Sequence, residues 1–136
     1  MIELQNALVS GEHIVGQYVV QFMRQASTGW ALDILQLQAA VTQYRLLIKP
    51  FPRRYKPASI PHVIISNVDT ERLEGHYVIR IQIQNHYLLR LAATPLHAQD
   101  LADDLRIMQL PRPQFHADLK VSTQEIDRLI GYIKAI

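Results

Sequence analysis

Apolar and polar residues alternate with period two along most of the first two thirds of the chain, and this pattern predicts strands. From His13 to Gln25, Ile14, Gly16, Tyr18, Val20 and Phe22 fall on one face and Val15, Gln17, Val19, Gln21 and Met23 on the other. Gly16 marks a bend or bulge in that long strand. Ala26-Ser27-Thr28-Gly29 reads as a turn. In the next run Trp30, Leu32 and Ile34 hold one phase, and Leu35, Leu37, Ala39 and Val41 hold the other. A strand with a bulge near Ile34–Leu35 accounts for the switch. An amphipathic helix over residues 30–42 is the rival, since Ala, Leu and Gln are good helix formers. Period two on both sides of the switch favours the strand.

Thr42-Gln43-Tyr44 then connects to a strand from Tyr44 to Phe51. Pro50, Pro52 and Pro57 lack the donor that ladder pairing needs, so the segment around residues 52–57 is expected as an exposed, irregular loop. Ser59 to Val68 reads as one further strand and Asn67 to Gly75 as a polar connection. His76–Gln84 and Leu88–Ala93 form a hairpin. A loop of Asn85-His86-Tyr87 would pair Ile83 with Leu89 and Ile81 with Leu91, place Gln82 beside Arg90 and keep one face apolar.

The period changes after Thr94-Pro95. Thr94 is placed to cap a helix and Pro95 suits its first position. Ala98, Leu101, Ala102, Leu105 and Met108 form its apolar stripe, and Pro111 and Pro113 end it. Ser122-Thr123-Gln124-Glu125 is a capping box for a last helix whose apolar face is Ile126, Leu129, Ile130 and Ile133. Such a face is covered either by its own sheet or by a partner. Leu4, Ala7 and Leu8 fall at helical spacing within residues 1–10, which read as a short helix or a frayed tail.

Composition narrows the chemistry. At 136 residues the chain fits one domain able to bury a core. It has no cysteine, which excludes disulfides, thiolate catalysis and cysteine-ligated metals and is compatible with a cytoplasmic protein. MIELQNALVSGEH has no basic region and no long apolar segment, so it does not read as a signal peptide. No apolar run is long enough to span a membrane as a helix, so membrane contact is expected to be peripheral.

The net charge of +2 is unevenly placed. From Ile34 to Val68 there is no Asp or Glu, but there are Arg45, Lys49, Arg53, Arg54 and Lys56. A basic patch of this kind attracts phosphate or carboxylate groups, and it is also how a solvated loop stays soluble. Arg53, Arg54, Tyr55 and Lys56 are the candidate anion- or lipid-binding residues. The same four residues are too few, with a single ring, for a nucleic-acid surface, and nucleic acid is not expected as a partner. His62, His76, His86, His97 and His116 are scattered without metal-ligand spacing. Asp103 and Asp104 diverge by about 100° on a helix and form no dyad. No nucleophile elbow or phosphate-binding glycine loop is present, so neither catalysis nor a cofactor is expected.

Ser10-Gly11-Glu12, then Val41-Thr42-Gln43-Tyr44-Arg45-Leu46-Leu47-Ile48, then Ser59-Ile60-Pro61 leading to Ile65-Ser66-Asn67-Val68, resembles the pleckstrin-homology-like superfold, its GRAM-type and bacterial members in particular. The family Leu before Thr is Val41 here. The resemblance implies a mostly β, α+β fold: a bent barrel of about seven antiparallel strands in two nearly orthogonal sheets, closed by a helix. The resemblance covers roughly Ser10 to Leu110; the domain is expected as residues 1–110, with 111–136 as an added extended segment and terminal helix packed on the domain or a partner. Phosphoinositide-binding members carry Lys and Arg around the first hairpin. Here that region offers only Arg24, with Asp33 beyond. The expected function is therefore a non-enzymatic adaptor, binding a protein or itself through a surface groove or through Ile126, Leu129, Ile130 and Ile133. Peripheral binding of anionic lipid through residues 53–56 is the alternative.

Overall fold

A computed structural model describes residues 2–52, 55–84, 87–119 and 124–128. The elements run α1 (Ile2–Gln5), β1 (Ile14–Ala26), β2 (Gly29–Thr42), β3 (Arg45–Pro50), β4 (Ala58–Pro61), a 3-10 turn (His62–Ile64), β5 (Ile65–Leu73), β6 (His76–Ile83), β7 (Tyr87–Ala93) and α2 (Pro95–Ile107). Residues 124–128 are helical and are called here the closing turn. The strands make one antiparallel sheet in the order β4-β3-β2-β1-β7-β6-β5, so β4 and β5 are its edges. β1 meets β7 at only two pairs, Gln21↔Ala92 and Phe22↔Leu91. That short joint makes a single ladder of what the resemblance implied as two sheets.

Residues 30–42 are strand, and the phase switch is a bulge. Gln21 pairs with Gln36 and Met23 with Leu32, so three residues of β2 face one of β1. The groups freed from the ladder find local partners. Asp33 accepts the Leu35 N–H at 3.0 Å, and Gln21 Nε2 donates to the Asp33 carbonyl at 3.0 Å. A second register shift lies between Ile14 and Gly16, where the bend was expected. Gly16 has little room for a side chain as the neighbouring side chains stand. A Cβ would collide with the Asp104 carboxylate and the Tyr18 hydroxyl, which are hydrogen-bonded to each other.

Two expected boundaries are corrected. Ser59–Val68 is two strands, because the chain turns at His62–Ile64 and crosses from one edge of the sheet to the other. The supposed connection 67–75 is the body of β5, closed by a two-residue turn with Glu74 and Gly75 at φ 51° and 81°. Its polar residues do not break the strand, because they lie on a solvated face and meet arginines of β6 and β7. Arg90 Nε is 3.0 Å from Glu71 Oε1, and Arg80 lies 3.7 Å from both Asp69 and Glu71.

The β6–β7 register also differs. Ile83 pairs with Tyr87, Ile81 with Leu89 and Ile79 with Leu91, so Arg80, not Gln82, is opposite Arg90. The expected and observed registers differ by two residues, and a shift of two preserves which side chains share a face. Hydrophobic alternation therefore cannot tell them apart. Gln82 Nε2 donates to the carbonyls of Gln84 and Tyr87, each at 3.0 Å, and supports the observed pairing.

The main core lies between the sheet and α2, whose Ala98, Leu101, Ala102 and Leu105 are buried as the stripe required, with Met108 packed beside them. Thr94 is the N-cap residue, but its side chain makes no capping hydrogen bond. Leu4 and Leu8 cover the opposite face of β2 and β3 over Ala40 and Leu47.

Candidate functional site

Of the five basic residues in the acid-free stretch, two are structural. Arg45 and Lys49 are buried. Lys49 Nζ donates to the carbonyls of Pro50 at 2.9 Å and Pro52 at 3.3 Å. Arg53 and Arg54 lie outside the described residues. Tyr55 is half-buried, its N–H on the Pro52 carbonyl at 3.2 Å, and Lys56 is exposed. Phe51 follows β3 with its N–H on the Gln36 carbonyl at 3.3 Å and is 41% exposed. Ile34, in the neighbouring bulge, is 79% exposed.

Arg45 is taken by Glu12. The Glu12 carboxylate receives the Val9 N–H at 3.0 Å, the Thr42 hydroxyl at 2.7 Å, and Arg45 Nε and Nη2, each at 2.9 Å. Arg45 Nη1 continues to the Ser59 hydroxyl of β4 at 3.1 Å, and Nη2 reaches the Ala7 carbonyl at 2.8 Å. Burial pushes the Glu12 pKa up, but the hydrogen bonds from Arg45, Thr42 and Val9, with the Arg45 charge, outweigh it and hold it below the ordinary carboxylate value. Four donors saturate both oxygens, so this carboxylate is built to be held and not to take a proton from a substrate. The Gly11-Glu12 and Thr42–Arg45 motifs thus converge on one buried clasp joining the α1–β1 connection to β2, β3 and β4.

The closing turn seals the β4 edge. Glu125 Oε2 accepts the Ser59 N–H at 2.9 Å, and Arg128 Nη2 donates to the Pro57 carbonyl at 3.1 Å. Asp127 accepts the Tyr87 hydroxyl at the start of β7. Ile126, expected as a partner contact, is fully buried in the main core, so it faces this domain's interior and is unavailable to a partner in this arrangement. Leu129, Ile130 and Ile133 lie outside the described residues, as do Ser122 and Thr123 of the capping box.

The β5 edge is different. A groove of about 400 Å³ opens along it, lined by Ile65, Ser66, Asn67 and Val68 of β5 and by Arg106, Gln109 and Leu110 at the end of α2. Arg106 Nε donates to the Val68 carbonyl at 3.2 Å, and Gln109 Nε2 to the His62 carbonyl at 3.1 Å. These bonds fix the helix end beside the strand. Leu110, which lines the groove, stands 74% exposed, and Ile107 at the end of α2 is 59% exposed. Sequence reasoning missed these residues. The available signal was that Ile107 and Leu110 lie off the α2 stripe, apolar yet with no core position to fill.

The two adjacent aspartates act separately. Asp104 accepts the Tyr18 hydroxyl, whereas Asp103 lies 3.6 Å from Arg106 and accepts Gln99 Nε2 at 2.8 Å. Burial first, and then the Asp104 carboxylate, raises the Tyr18 pKa. Among the described residues no group of three or more His, Asp or Glu could hold a metal ion, and no helix is long and apolar enough to cross a membrane.

No protein-family model matches the chain, and no curated protein matches it. Among solved structures the chain is similar to the hSac2 domain from human phosphoinositide phosphatase Sac2, with a TM-score of 0.61 at 9% identity over 87% of this chain and 85% of that one. At that identity the likeness shows the fold alone, a mostly β domain.

Proposed function

We propose that the chain is a non-enzymatic binding domain of pleckstrin-homology-like kind, GRAM-like in its Gly11-Glu12 entry and Thr42–Arg45 hairpin, and that its partner is a protein segment held in extended form along the edge of β5. One observation carries this reading. Of the two sheet edges, β4 is sealed by the chain's own closing turn, while β5 borders a groove lined in part by the exposed apolar side chain of Leu110. An edge strand offers backbone groups that a second strand can pair with, and side pockets give selectivity.

The test is to pan a library of linear peptides on the immobilised domain and map enriched peptides by amide chemical shifts. Shifts confined to residues 65–73 and 106–110, with binding lost in Thr70→Lys, are expected. Peptides that map to another surface, or none enriched, overturn the reading.

A second reading, peripheral binding of anionic lipid headgroups, is favoured by the exposure of Phe51, Ile34 and Lys56. That surface lies at the far end of β3 from the 3-10 turn and the groove, about 20 Å away for a six-residue strand. Each basic group near an anionic surface contributes about 1 kcal/mol, so binding would be weak and salt-sensitive. Sedimentation with anionic and neutral vesicles at two salt concentrations, using Phe51→Ser/Lys56→Ala and Arg53→Ala/Arg54→Ala variants, decides it.

A further inference from the structure

His62 is fully buried in the 3-10 turn that carries the chain from one edge of the sheet to the other. Its Nε2 lies 2.8 Å from the Thr42 carbonyl. A carbonyl only accepts, so Nε2 carries the hydrogen and Nδ1 is left with a bare lone pair. Nδ1 is buried and has no hydrogen-bond partner. The backbone of the same residue is tied at both ends. Its N–H donates to the Tyr44 carbonyl at 3.0 Å, and its carbonyl accepts Gln109 Nε2 at 3.1 Å. One residue therefore fastens the β2–β3 turn, the start of β5 and the end of α2.

We propose that His62 is an acid-sensitive pin: neutral, it holds the 3-10 turn and the beginning of β5 in place, and protonation of Nδ1 releases them. A second N–H on this ring would be a charged donor facing no acceptor in a dry site, and such a group is costly unless the site opens to water. The charged and titratable groups around it do not relieve that cost. Glu12 lies beyond Thr42 but is already joined to Arg45. Tyr44 offers the ring only its backbone carbonyl, which the His62 N–H occupies, and the His116 ring packs on the far Tyr44 ring at 5.2 Å. From α2 comes Gln109, which does not titrate. Burial accordingly lowers the His62 pKa, against smaller opposing effects of the Thr42 hydrogen bond and the Glu12 charge.

The sign follows from linkage. The unfolded chain binds the His62 proton at about pH 6.5 and the folded chain only at lower pH, so the pin's stabilisation is complete above that value and is lost as pH falls below it. The folding equilibrium should shift by up to about tenfold per pH unit in that window. The Glu12 clasp fails separately, below the ordinary carboxylate range.

The test compares the wild type with His62→Gln, which keeps a donor for Thr42 but does not titrate. Imidazole nitrogen shifts of His62 should report the Nε2–H form and a proton taken up only below pH 6.5. Between pH 7.5 and 5.5, exchange protection should drop at the amides of His62 and Gln84, which bond Tyr44 and Ile64, relative to Ile79 in β6. That selective loss should be absent in His62→Gln. Titration of His62 at or above pH 6.5, or an equal loss of protection in the variant, overturns the proposal. If the variant does not fold, the wild-type nitrogen shifts and exchange pattern decide alone.

Discussion

β4 and β5 follow each other in the chain, separated by three residues, yet they end as opposite edges of the sheet. All four residues of β4 are buried. Its Ser59 N–H meets a carboxylate, its Ser59 hydroxyl meets Arg45, and Ile126 fills the core behind it. In β5 Ile65 and Val68 are buried while half-buried and exposed residues alternate beyond them, and side chains at the end of α2 bond its first half and the preceding turn. An unprotected edge invites association with another chain, and folded proteins usually blunt it. Here one edge is blunted by the chain's own end and the other keeps a groove. The difference teaches where the molecule spends its interior contacts and where it leaves a surface free.

The largest test of that contrast is Arg45→Met, which removes the link from the clasp to β4 and leaves the Glu12 carboxylate buried without its partner. A loss of about 3–5 kcal/mol in urea unfolding is expected, with part recovered in Glu12→Gln/Arg45→Met because no orphaned charge remains. A single variant as stable as the wild type would show that the clasp does not hold the β4 side.

Ile126→Ala should follow, at about 2–5 kcal/mol for a fully buried side chain, and should speed hydrogen exchange at Ser59 by loosening the closing turn. Unchanged exchange at Ser59 would mean that the turn does not seal this edge. The smallest effect belongs to the other edge. Thr70→Lys is on the exposed face of β5 and should change stability by less than about 0.5 kcal/mol while abolishing peptide binding.

Much of this was legible in the sequence where one physical rule acts alone. Period two marked β1, β2 and β6, and the phase switch at Ile34–Leu35 located the bulge because only an extra residue can move a strand from one face to the other. β5 was hidden because Asp69, Glu71 and Arg72 look like a loop until the arginines opposite them are known. The basic stretch misled for a related reason. Arg45 and Lys49 count as surface charge in a sequence, but one is neutralised by Glu12 from before β1 and the other folds back on loop carbonyls. The groove is made by the end of α2 beside an edge strand, and no local pattern specifies which strand will be the edge.

The two-pair joint between β1 and β7 bears on how quickly the fold can form. Every other strand pairing links neighbours in the chain, β1 to β2, β2 to β3, β3 to β4, β5 to β6 and β6 to β7. Such hairpins close short loops and assemble early. Phe22 meeting Leu91 closes nearly the whole β region at once and has little ladder to reward it. The helix α2, packed on strands from both sides of the joint, supplies what the ladder lacks. Each half of the sheet is therefore built from local hairpins, and α2 is the element that spans the joint between them.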